Sequence, residues 1–203
     1  MITLFHSPRT RSTRFIFLLE ELGAPYEIKP VNVQRGDGSG ARDPANPHPH
    51  GKVPAIADDG EVVFESSAIA LYLTDKFPAG GIGPAVGEAG RGAYLSWLAY
   101  YSGVLEPAWM MAFAKVELPK AMPGWPPVDE AMAYTTKALE AGPYLLGERF
   151  TAADILVGTT FALFMGGPLL PKTPLLEAYV DRVIGRPAYA RAMAKDEASS
   201  PQA

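Results

Sequence analysis

The chain of 203 residues contains no cysteine. That absence removes disulfides, thiolate metal centres and cysteine nucleophiles at once. Histidine is scarce: only His6, His48 and His50 occur, and two of them share one proline-rich loop. A histidine metal centre needs three or four convergent ligands, so no metal is expected. Charge is modest, with 18 Lys and Arg against 22 Asp and Glu for a net charge of −4. No basic stripe is present to meet nucleic acid, and no basic amphipathic segment to meet a membrane surface. No apolar run approaches the roughly 20 residues of a membrane span. The opening MITLFHSPRT lacks the apolar stretch of a signal peptide. The expected setting is the cytoplasm. What is plentiful is ordinary for a folded soluble chain, 48% hydrophobic and 20% charged residues. The length suits one large domain or two small ones.

Ile2–His6 (ITLFH) is a short apolar run ended by SPRT and reads as a first strand. Phe15, Leu18, Leu19 and Leu22 then recur at helical spacing and Gly23 supplies the stop, with Ser12 or Thr10 as the cap. Pro25–Val33 alternates and reads as a second strand. Strand, helix, strand implies a parallel pair with a crossover. Gln34–Gly51 is a loop rich in Gly, Pro, Asp and Asn. Two apolar runs flank Asp58-Asp59-Gly60, a hairpin signal, and Ser67–Phe77 reads as a helix stopped by Pro78. From about Gly87 strand signals give way to helices. The first covers Glu88–Leu118, with a break expected near Val104 because of Pro107. Val128–Gly142 is the second. The third, after Thr151, is apolar nearly all round and is therefore buried. Two shorter ones are divided by Gly185-Arg186-Pro187, and the tail from Glu197 is expected to fray. The organisation expected is a domain at residues 1–77, a Gly/Pro-rich linker at 78–86 and an all-helical domain at 87–203.

HGKVPAIADDGEVVFESSAIALYL, residues 50–73, carries the most chemistry. Pro54 heading a strand has two readings. It marks an edge strand, where a missing ladder donor is harmless. Alternatively a cis Val53–Pro54 peptide turns the Val53 N–H and C=O sideways to meet an extended peptide ligand. Glu65 and Ser66 stand where strand becomes helix. Ser66 is either an N-cap or part of an anion site, since free N–H groups and the helix dipole attract a carboxylate. Glu65 beside it would take an ammonium group, so the two could hold both charges of one α-amino acid end. The turn SPRTRSTR places Ser7, Thr10, Ser12 and Thr13 near a helix N-terminus, among Arg9, Arg11 and Arg14. Hydroxyls there are caps or donors to a thiolate. RFTAADI, residues 149–155, is a capping box with Thr151 at N-cap and Asp154 at N3, and reads as structural. Aromatic and Met residues crowd Tyr94–Phe113; most belong to the core, and a subset could line an apolar cleft.

Taken in order, KVPAI, ESSAI and FTAADI resemble the cytosolic glutathione transferases, bacterial ones in particular, over essentially the whole chain. The resemblance implies an α/β N-terminal thioredoxin-like domain followed by an all-α helical domain. It implies a homodimer with no nucleic-acid or membrane partner, and a role in detoxification. Glutathione would be the co-substrate at the first domain, and a small electrophile would occupy a cleft contributed by the second. Carried onto this sequence, the Val53 backbone ahead of Pro54 would pair with the cysteinyl part of glutathione. Glu65 and Ser66 would hold the γ-glutamyl end, and Lys52 and His50 would reach the glycyl carboxylate. The first turn has neither the Tyr nor the Cys that other members use. The thiolate donor implied is therefore Thr10, with Ser12 second and Ser7 third, and with Arg11 adding positive charge. The same likeness is compatible with a non-catalytic binding protein, or with a glutathione-dependent isomerase, dehalogenase or peroxide or disulfide reductase.

Overall fold

In the computed structural model, which describes residues 1–119 and 123–199, strand β1 (Ile2–His6) is an inner strand of a four-stranded sheet. β2 (Tyr26–Pro30) runs parallel to it on one side and β3 (Ala55–Asp58) antiparallel on the other; β4 (Glu61–Phe64) pairs antiparallel with β3. Consecutive parallel strands need a crossover, and helix α1 (Thr13–Leu22) supplies it. The β3–β4 hairpin turns on Asp59 and Gly60, with φ of 49° and 89°. A two-residue turn between twisted strands requires both to be positive, which is why Asp-Gly marks it. Helix α2 (Ser66–Lys76) follows β4 directly.

Gly23 ends α1 in the left-handed conformation, as its position predicts. The helix is buried well beyond one stripe: Phe15, Ile16, Phe17 and Leu19 are each 0% exposed. The cause lies far along the chain. Helix α8 (Pro187–Ala198) packs on α1, with the Tyr189 ring edge-on to Phe17 at 5.4 Å. Arg186 reaches Glu21, while Arg191 and Lys195 reach Glu20. One compact unit is therefore Met1–Gly80 together with the chain from Arg186 onward, and the other is Gly81–Gly185. This differs from the expected unbroken helical part at 87–203. The apolar and basic residues of α8 match the apolar face and the carboxylates of α1.

In the second unit, α3 (Arg91–Tyr100), a π-helical turn at Tyr101–Leu105 and α4 (Glu106–Phe113) follow one another without a loop. The break expected from Pro107 takes this form. Proline lacks an N–H and crowds the carbonyl four residues back, at Gly103, so the helix widens there. Tyr94, Trp97, Tyr101 and Trp109 are buried, whereas Met110 and Phe113 are exposed. Helices α5 (Val128–Glu140), α6 (Ala152–Phe164) and α7 (Pro174–Ile184) complete the unit. Every residue of α6 from Ala152 to Gly158 is buried. Gly158 is needed for the close approach of α7, since a Cβ there would stand 2.7 Å from Val183 Cγ2.

The capping box forms as read. Asp154 Oδ2 accepts the Thr151 N–H at 2.8 Å, and its Oδ1 accepts the Leu145 N–H at 2.9 Å and the Tyr179 hydroxyl at 3.2 Å. One carboxylate thus ties the start of α6 to the segment before it and to α7. Burial pushes the Asp154 carboxyl up to about 6, against the pull of these donors. Residues 120–122 of the connector and the tail from 200 lie outside the described residues. Among the described residues no helix is long and apolar enough to cross a membrane.

Candidate functional site

One rung of the sheet organises the site. Phe5 on β1 pairs with Ala55 on β3, and Ala55 pairs with Phe64 on β4. β4 ends at that rung, β3 starts from it, and β1 ends one residue beyond it, at His6. Three segments therefore meet at one end of the sheet: the turn at 7–12, Val53–Pro54, and Glu65–Ser66. Helices α1 and α2 begin there as well, so their unpaired N–H groups gather at the same end.

The Val53–Pro54 peptide is cis. It heads an inner strand, so the edge-strand reading of Pro54 fails. Pro54 is buried and Val53 half-buried, while Lys52 and His50 are exposed. The Lys52 carbonyl accepts a hydrogen bond from Asn46 Nδ2 at 2.9 Å. Ser66 is buried as the first residue of α2, and the N-cap position belongs to Glu65. Ser66 is already inside the helix, which rules out the capping role considered for it. Glu65 has φ 71° and ψ 130°, uncommon for a residue with a side chain. Backbone held in such a region clusters at ligand-binding sites. The Glu65 carboxylate is exposed at this junction.

The turn at 7–12 is a knot of hydroxyls. Thr10 Oγ1 donates to the Ser7 carbonyl at 2.7 Å and lies 2.8 Å from Ser12 Oγ. Ser12 Oγ accepts the Ser7 N–H at 3.2 Å and lies 2.8 Å from His6 Nδ1. Ser12 is fully buried, at 0% exposure, so its hydroxyl faces protein; Thr10 is half-buried and Arg11 is exposed. Ser12 occupies the N-cap position of α1 without a side-chain capping bond. Arg35, from the long loop, donates to Ser7 Oγ at 3.2 Å and to the Pro8 carbonyl at 3.1 Å. From α8, Asp196 accepts the Arg9 N–H at 3.2 Å and the Thr13 hydroxyl at 2.5 Å. Its Oδ1 stands 3.3 Å from His6 Nε2, in an orientation that makes the contact electrostatic rather than a hydrogen bond. Burial lowers the His6 pKa, and the Asp196 charge opposes that shift.

Sequence reasoning passed over His48 in favour of His50. His48 is the buried one, packed edge-on against Phe64 at 5.3 Å. Its Nδ1 accepts the His50 N–H at 3.1 Å, which places the ring proton on Nε2, 3.8 Å from Glu65 Oε1. Burial lowers the His48 pKa, and Glu65 opposes. Asn46, Arg35 and Asp196 were passed over as well. Nothing local marks Arg35 or Asp196. The Asn-Pro pair at 46–47 was the one available hint of a structured loop.

Residues 1–75 match the family Glutathione S-transferase, N-terminal domain, and residues 105–187 match Glutathione S-transferase, C-terminal domain. The Oryza sativa subsp. japonica protein named "Probable glutathione S-transferase GSTF2" is 30% identical over 181 residues, which cover 82% of this chain and 80% of that protein. This chain belongs to the glutathione S-transferase family. Solved structures agree. A glutathione transferase from Methylococcus capsulatus is 29% identical with a TM-score of 0.77, over 98% of this chain and all of that one. A sphingomonad glutathione S-transferase complexed with glutathione is 28% identical with a TM-score of 0.72, over 96% and 98% of the two chains. The mixed four-stranded sheet followed by helices is the transferase fold expected from the sequence motifs.

Proposed function

We propose that this glutathione transferase binds its tripeptide along the sheet end defined by the Phe5–Ala55–Phe64 rung and ionises it beside Thr10. The observation that carries the reading is that single rung, which delivers the hydroxyl turn, Val53–Pro54 and Glu65–Ser66 to one place. The N-terminus of α2 and Ser66 take the γ-glutamyl carboxylate, and the Glu65 carboxylate takes the neighbouring ammonium. The Val53 backbone pairs with the cysteinyl residue as an added strand would. Lys52 and His50, both exposed on the adjoining loop, reach the glycyl carboxylate. The sulfur faces Thr10, the accessible hydroxyl of the turn, with the N-terminus of α1 and Arg11 adding positive charge.

A hydroxyl donor and a helix dipole stabilise the thiolate relative to the thiol. The thiolate then attacks an electrophilic carbon, and orientation of the two reactants supplies much of the rate. A small apolar electrophile, a cytoplasmic setting and a part in detoxification belong to this reading. So does a homodimer, for which Val62 and Phe64 on edge strand β4, 40% and 39% exposed, offer apolar surface to a second copy.

Thr10→Val tests the sulfur assignment. It keeps the shape and removes the donor, so the bound thiol pKa should rise toward the free value of about 8.5. Turnover at neutral pH should fall about tenfold or more, with glutathione affinity nearly unchanged. An unmoved pKa, read from thiolate absorbance against pH, would leave backbone N–H groups as the donors. Ser66→Ala should weaken glutathione binding by about 1–3 kcal/mol in calorimetry, since a hydrogen bond to a charged group is lost.

A further inference from the structure

Four side chains of the first unit form a line. Asp196 Oδ1 stands 3.3 Å from His6 Nε2, His6 Nδ1 stands 2.8 Å from Ser12 Oγ, and Ser12 Oγ stands 2.8 Å from Thr10 Oγ1. Asp196, His6 and Ser12 are buried, and Thr10 is the member that reaches the surface of the turn. Charge sets the direction of the line. A carboxylate beside Nε2 favours the ring proton on that nitrogen, which leaves Nδ1 as a bare acceptor. Ser12 must then be the donor to His6. Its one proton is used, so a bond between Ser12 and Thr10 must be donated by Thr10. The single Thr10 proton has two acceptors in reach, the Ser7 carbonyl at 2.7 Å and Ser12 Oγ at 2.8 Å, and has to turn from the first to the second for the line to conduct. Each hydroxyl along the line can hand its proton toward the imidazole.

From this geometry we infer that His6 accepts the proton that leaves the glutathione thiol, delivered through Thr10 and Ser12. The inference rests on Thr10 being the residue that faces the sulfur. The thiol proton passes to Thr10 Oγ1 as the Thr10 proton passes to Ser12 Oγ and the Ser12 proton to His6 Nδ1. One S–H bond is exchanged for one N–H bond, both hydroxyls are regenerated, and no electron changes hands. The sulfur becomes a thiolate facing a Thr10 hydroxyl. His6 becomes an imidazolium with its Nε2–H toward the Asp196 carboxylate.

The surroundings of His6 bear on whether that charge is tolerated. Asp196 from α8 favours it, and Tyr189 of the same helix senses the Asp196 charge. The Arg9 N–H and the Thr13 hydroxyl share the carboxylate and hold it in place. Arg35 approaches through Ser7 and Pro8 and disfavours a second cation. β2 sets Pro30 across from His6 and adds no charge on that side. Burial keeps the ring neutral at neutral pH in the free protein, so the acceptor stands empty before the thiol arrives.

The decisive quantity is the number of protons released to solvent per thiolate formed. Glutathione is added to the protein in weak buffer with a pH indicator, and thiolate absorbance and proton release are followed together. S-methylglutathione, which has no thiol proton, corrects for binding itself. The wild-type protein should release well under one proton per thiolate. Ser12→Ala and His6→Gln interrupt the line and should restore full release, with a severalfold loss of thiolate at neutral pH. A His6 that serves packing alone would lower the yield of folded protein without changing that ratio. A second reading needs no variant of the line. The ring-nitrogen shifts of His6, assigned against His48→Asn and His50→Asn, should take the imidazolium pattern with glutathione and not with S-methylglutathione. Full proton release by the wild type, with a neutral His6 ring in the complex, would overturn the relay. If Thr10→Val raises the thiol pKa and release is nonetheless full, the Thr10 assignment stands and only the relay falls. An unmoved pKa in Thr10→Val removes both.

Discussion

The two units fasten their helices with carboxylates in opposite ways. In the first, Glu20 and Glu21 on α1 meet cations on α8 near the surface: Arg191 and Lys195 on Glu20, and a two-pronged contact from Arg186 on Glu21. In the second, Asp154 is fully buried and meets only neutral donors. Burial pushes the Glu20 carboxyl up, but hydrogen bonds from Lys195, Tyr26 and Arg191 outweigh it and hold the group at about 2. Burial of Asp154 wins over its donors and holds that group at about 6. A carboxylate near the surface gains from ionising because a full positive charge meets it. A carboxylate in the interior serves as a geometric clip and is ionised at a cost.

The sharpest way to break this contrast is Asp154→Ala. The Thr151 and Leu145 N–H groups and the Tyr179 hydroxyl would be left buried without their acceptor. The expected loss is about 3–4 kcal/mol, read from denaturant unfolding of the Gly81–Gly185 unit.

Acidification should then separate the units. Asp154 has a folded pKa above its unfolded value, so its ionisation penalty applies above about 6 and is relieved as pH falls to about 4, by about 2–3 kcal/mol. Glu20 has a folded pKa below its unfolded value. Its stabilisation is complete above about 4.5 and is lost as pH falls through about 2. With the half-exposed cations discounted for solvent screening, that loss is about 1–2 kcal/mol. Amide exchange should therefore show the second unit firming between neutral pH and about pH 4, and α1 and α8 loosening below it. The same sign in both regions would refute the contrast.

The smallest effect belongs to Arg186→Ala, which removes the two-pronged contact to Glu21. A loss of about 0.5–1 kcal/mol is expected, reduced by salt. A larger loss would mean that the α1–α8 seam behaves like an interior clip after all.

What could be read from the sequence was what neighbours in sequence decide. The Asp59-Gly60 hairpin, Gly23 as a helix stop, the break near Val104 and the Thr151–Asp154 box all depend on residues a few positions apart. The cis peptide before Pro54 and the place of Glu65 and Ser66 where strand becomes helix followed from a motif of the same kind. The cap position did not: the positive φ of Glu65 moves the helix start by one residue, and no local composition announces it. Ser12 against Thr10 was likewise open, because burial of one hydroxyl depends on His6 beneath it. Least legible was Asp196. It meets Arg9 across 187 positions of sequence, and periodicity carries no information at that range. Equally illegible was that His48 turns inward while His50 stays exposed, since proximity to Lys52 does not report which ring is buried.

The discontinuity of the first unit gives the protein an order of assembly during synthesis. Gly81–Gly185 is one unbroken stretch and can collapse as it leaves the ribosome, since domains fold as units while the chain is made. The sheet that carries the turn at 7–12 is made before that stretch. α1 keeps an apolar face uncovered, and the Arg9 N–H and Thr13 hydroxyl lack their acceptor, until residue 196 is translated. The earlier segment is thus completed later than the helical unit, because the turn at 7–12 gains the Asp196 carboxylate only when α8 has been made.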